Sequence, residues 1–125
     1  MGNVAALGVN ENVRVDNGRV RDIVTELGEV AAGGVLQVAL EQMAMAVQGL
    51  RDDAGQGDMR AVIRNGERLS RLAMQVGLVS LADVARCVAN CACAGDIVAL
   101  GATLSRMERV ANISLIEIWE YIEEA

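Results

Sequence analysis

Residues 36–50 read LQVALEQMAMAVQGL, and their spacing decides the fold. Leu36, Leu40, Met43, Val47 and Leu50 follow one another by four, three, four and three, while Gln37, Glu41, Ala44 and Gln48 take the opposite side. A stripe of that period is the buried face of an amphipathic α-helix. The same step recurs on both sides of it. Upstream, Val20, Ile23, Val24, Leu27 and Ala31 predict a short first helix that starts after Asp16 and ends near Ala32-Gly33-Gly34. Downstream, the charged and glycine-containing run Arg51-Asp52-Asp53-Ala54-Gly55-Gln56-Gly57 is expected to be a loop.

Asp58 is the expected N-cap of a third helix whose core stripe is Val62, Gly66, Leu69, Ala73 and Val76, closed by Gly77. Ser80 is expected to cap a fourth helix, with Leu81, Val84, Ala85, Val88, Cys91 and Ala92 inward and Gly95 at its end. Asp96 opens a fifth, along which Ile97, Leu100, Leu104, Met107, Ala111, Leu115, Ile118 and Ile122 keep the step. Asn112 and the capping-box pattern Ser114-Leu115-Ile116-Glu117 leave open a break or kink there. The expected architecture is all-α: a flexible arm over residues 1–16, then an antiparallel four-helix bundle with a short N-terminal cap helix over 17–125.

Composition agrees and excludes much. The 125 residues suit one domain; 53% are hydrophobic but only 2% aromatic, and there is no proline. There is no histidine, so the chain offers no imidazole acid, base, nucleophile or metal ligand. There is no lysine, so Schiff-base chemistry and a P-loop ammonium are also excluded; every cation is arginine. A net charge of −6 argues against nucleic-acid binding. The first residues lack a basic n-region and a long apolar core, and no apolar run approaches a membrane span. Cys87, Cys91 and Cys93 match neither a disulfide framework nor a zinc spacing, and are expected to be small apolar fillers in a reducing cytoplasm. No cofactor, metal, membrane or nucleic-acid partner is expected, and no enzymatic activity.

Residues 66–81, GERLSRLAMQVGLVSL, and 82–96, ADVARCVANCACAGD, carry a resemblance. They are similar to the histidine-containing phosphotransfer (HPt) domain of bacterial phosphorelays. That family has a small residue, the phosphoacceptor His, any residue, Leu, Lys, Gly, any residue and Ala, then a Leu-Gly pair and a helix closed by Gly-Asp. Gly66, Leu69, Ala73, Val76-Gly77, Leu81-Ala82 and Gly95-Asp96 match its scaffold positions. The resemblance spans about residues 18–111 and implies a short helix followed by a four-helix bundle. The departures fall on the chemistry: Glu67 stands at the phosphoacceptor position, Ser70 at the Lys and Arg71 at the Gly. A carboxylate has no nitrogen with which to take a phosphoryl group, so the resemblance implies an HPt-like phosphorelay protein that cannot carry phosphohistidine.

Arg60, Arg64, Arg68 and Arg71 recur by four, four and three, so they share the outer side of the third helix. With Asp58 and Glu67 they leave residues 58–71 a net +2 inside an acidic protein. Two roles fit this face. It is either a solvated surface, with Glu67 and Arg71 forming an ordinary intrahelical pair, or a docking surface for a receiver domain of a response regulator, or for a histidine kinase. The candidate partner-binding residues are Arg60, Arg64, Glu67, Arg68, Ser70, Arg71 and Met74. The alternative is a structural bundle that dimerises through its C-terminal helix, with Leu115, Ile118, Trp119 and Ile122 as the contact.

Overall fold

A computed structural model describes residues 12–124 and places five α-helices in them. Helix α1 spans Asn17–Leu27, α2 Glu29–Gly55, α3 Met59–Gln75, α4 Val79–Ala94 and α5 Ile97–Glu124. Helices α2 to α5 run alternately up and down around one core, each packed on the next, and α2 closes the ring on α5. Leu36, Met43, Leu50, Leu69, Leu78, Leu81, Met107 and Ile118 fill that core, which is aliphatic and sulfur-containing as the composition requires. Val20 and Ile23 seat α1 on the end of the bundle formed by the start of α2, the α3–α4 turn and the end of α5.

The expected arm covers residues 1–16, of which 1–11 lie outside the described residues. Its last residues are fixed. Val13 and Val15 pack on the core, the Arg14 N–H donates to Ser80 Oγ at 2.7 Å, and the Asp16 N–H donates to the Gly77 carbonyl at 2.6 Å. This pairing changes the role expected of Ser80. It does not cap α4, whose N-cap is Leu78; it sits in the first turn and holds the segment before α1.

The first break comes earlier than the glycine pair suggests. Only Gly28, at φ 85°, leaves helical geometry, while Gly33 and Gly34 lie inside α2. Two glycines in a helix cost about 1 kcal/mol each, and burial of Ala32 and Leu36 beside them outweighs that cost. A Cβ added at Gly34 or at Gly101 in α5 would meet nothing within 4 Å. Gly34→Ala and Gly101→Ala are each expected to add about 0.5–1 kcal/mol, raising the melting temperature by a few degrees. Unchanged melting of Gly34→Ala would contradict a helix continuous through residue 34.

Helix α2 also runs further than expected, through Arg51, Asp52 and Asp53 to Gly55. Those charges serve as ties rather than a loop. Arg51 pairs with Glu108 of α5 at 2.6 Å, and Asp53 accepts from Asn65 of α3 at 2.8 Å. By length and composition, with a mean hydropathy of 1.4, α2 could cross a membrane; here it supplies Leu36, Leu40, Met43 and Leu50 to the bundle core.

Asp58 and Asp96 cap as expected, accepting from the N–H groups of Ala61 and Ala99. Helix α5 passes Asn112 without a break, about 40 Å in one piece. Ser114 caps nothing: it is fully buried, and its hydroxyl has no partner. Ile97, at the head of the predicted stripe, is exposed, while Val110 off that stripe is buried.

Candidate functional site

Helix α3 presents the candidate face because of how closely it meets α4. Gly66 is buried against that helix, and a Cβ there would lie 3.1 Å from the Ala85 carbonyl and 3.2 Å from the Ala89 Cβ. The small residues Ala82, Ala85 and Ala89 answer it from α4. With Gly66, Leu69 and Ala73 turned to the core, the opposite side of α3 must face outward.

Arg60, Arg64, Glu67, Arg68 and Arg71 are all exposed on that side, and Met74 is half-exposed at its C-terminal end. Ser70 corrects the sequence expectation. It is buried, and its hydroxyl donates to the Ala82 carbonyl across the α3–α4 contact at 2.8 Å, so it cannot touch a partner.

The expected Glu67–Arg71 pair does not form. Among the described residues, Arg60, Arg64, Glu67, Arg68 and Arg71 make no ion pair, whereas Arg14–Asp83 and Arg51–Glu108 do. The face thus keeps its charge unneutralised in a chain of net −6. Arg86 of α4 joins it. Its Nη2 lies 3.5 Å from Ser70 Oγ, a long contact that brings a further guanidinium to the border of the site. Sequence spacing has no signal for Arg86, since it reaches the face from another helix. On the other border, Arg68 and Asn65 of α3 meet Met45 and Gly49 of α2 along a shallow groove.

The proposed dimer residues do not share one surface. Ile118 is buried in the core, where α5 needs it, and so is unavailable to a second chain. Ile122 lines a recess with Val24 and Tyr121 beneath α1. Leu115 and the partly exposed Trp119 instead line an open groove between α2 and α5. The cysteines also differ from expectation. Cys87 and Cys93 are exposed, because the core stripe of α4 runs through Leu81, Ala85, Val88 and Ala92, and only Cys91 is partly covered. Among the described residues, no three Cys, Asp or Glu side chains converge as a metal site would require.

The sequence matches no family model and no curated protein. The structure is similar to the crystal structure of histidine-containing phosphotransfer protein B from Pseudomonas aeruginosa PAO1, with a TM-score of 0.81 over 89% of this chain and 96% of that chain, at 18% identity. The chain has the fold of a histidine-containing phosphotransfer protein and, in its whole length, no histidine.

Proposed function

We propose that this chain acts in a phosphorelay by recognition alone: it docks a response-regulator receiver domain, or a histidine kinase, through the outer face of α3 and carries no phosphoryl group. One observation supports this above the rest. The face that the resemblance assigns to phosphotransfer remains exposed and strongly charged, with no ion pair inside the protein, while its nucleophile position holds Glu67.

The physical argument has two sides. Exposed guanidinium groups attract an acidic partner over about a Debye length and mainly raise the rate of encounter. Receiver domains surround their phosphorylated aspartate with other carboxylates, so they suit this face. Glu67 offers no imidazole nitrogen, and Arg71 places a long cation one turn beyond it, where the family keeps a glycine so that a partner can approach closely. Both features oppose transfer, and neither opposes binding. The reading assigns no enzymatic step or cofactor, and it places the protein in the cytoplasm, where such partners act.

The test is a calorimetric titration of the chain against the receiver and kinase domains encoded in its own genome. Saturable binding to at least one of them is expected; absence of binding to all of them contradicts the proposal.

A further inference from the structure

The outer side of α2 is built for contact rather than for water. Between Glu29 and Arg51 its only charge is Glu41, yet only 22% of its most apolar stretch is buried. Val30 and Met45 are 92% and 74% exposed, and Val38 stands out between them. Steps of eight and seven residues put all three on one side of the helix. Alongside, α5 exposes Ile116 and Trp119. An open groove of about 680 Å³ lies between the two helices there, lined by Leu40, Ala44, Leu115 and Trp119. Monomers rarely leave a contiguous apolar surface of this kind wet.

Charge, shape and area together choose the occupant. With no cation between Glu29 and Arg51, α2 offers nothing to an anionic membrane or an acidic protein, and an equally uncharged face suits it best. The projecting Met45 and Trp119 and the groove share one surface, as a twofold contact requires, since each copy must supply both. Helices of 27 and 28 residues side by side make a face about 40 Å long and about 20 Å wide. That is on the order of 800 Å², the share of one partner in a stable interface. We propose that this chain forms a twofold dimer through the α2–α5 side of its bundle, with the Trp119 of each copy packed over the groove of the other. The two α5 helices cross antiparallel. That sense brings the exposed Glu120 and Glu123 of one copy toward Arg109 of the other, whereas a parallel crossing sets acids against acids. Ile118, buried in the core, takes no part. In the ring of helices this side lies opposite α3 and α4, so the outer face of α3 stays open in both copies.

Sedimentation equilibrium of the full chain, from about 1 to about 100 µM, is expected to show a dimer that is half-formed at or below about 10 µM. Trp119 is the sole tryptophan and reads the contact itself. Its emission should shift to the blue as the dimer forms, because its exposed ring becomes covered. Val38→Glu with Met45→Glu changes two exposed side chains and leaves the core untouched. The double variant should keep its helix content and dimerise about 100-fold more weakly, since each carboxylate would have to be buried in the contact. A wild-type mass of one chain up to about 100 µM gives the face to another protein or to a lipid surface and overturns the inference. A dimer whose Trp119 emission does not move with concentration, or one that survives the double substitution, places the contact elsewhere and likewise overturns it.

Discussion

Gly77→Val is expected to lower stability by about 3–4 kcal/mol and the melting temperature by roughly 10 °C or more. Two costs combine at this position. Its φ of 82° is left-handed, which costs an L-residue about 1–2 kcal/mol and a β-branched one more. A Cβ would also lie 2.6 Å from the Asp16 carbonyl and 3.2 Å from the Arg19 Cβ, so backbone must move. That displacement breaks the Asp16 N–H bond to the Gly77 carbonyl and disturbs the cap that Asp16 gives α1. Gly57→Val separates the two costs. Gly57 has a similar φ of 74°, yet nothing lies within 4 Å of an added Cβ. It is expected to lose only the conformational part, about 1–2 kcal/mol. Thermal denaturation of both variants checks this, and equal losses would contradict the docking of residues 13–16 on the α3–α4 turn.

Reversing Arg64, Arg68 and Arg71 together to Glu is expected to weaken receiver binding about 100-fold, with no loss of helix content. Each reversal removes an attraction to an acidic partner and adds a repulsion, moving the net charge from −6 to −12 over the three. All three side chains are exposed and unpaired, so the fold loses no internal contact. The wild-type affinity should fall as salt rises, and that of the reversed protein should lose this dependence. Arg21→Glu, on α1 and outside the α3 face, serves as the control and should change binding little. Affinity unchanged by the triple reversal would remove the α3 face from the interface.

Particular residues show how far the sequence carries this account. The stripes through Leu36, Leu40, Met43 and Leu50, and through Val62, Leu69 and Ala73, are legible because one face of each helix must be dry. Asp58, Gly95 and Asp96 are legible because their caps act within a few residues of themselves. The misread positions depend on distant partners. Gly33-Gly34 looks like a break, but a helix ends where its backbone turns, at Gly28. Arg51 to Asp53 look like a loop until Glu108 and Asn65 arrive from other helices. The outer face of α3 follows from the spacing of its arginines. The burial of Ser70 and the arrival of Arg86 do not, because both result from the close α3–α4 contact that Gly66 permits.

The central claim is that this HPt-fold protein recognises its partner without accepting a phosphoryl group. It is tested most directly by mixing the chain with a receiver domain it binds, radiolabelled on its aspartyl phosphate, and separating the two proteins. The account predicts that all label stays on the receiver or is released as inorganic phosphate; label retained on this chain would contradict it.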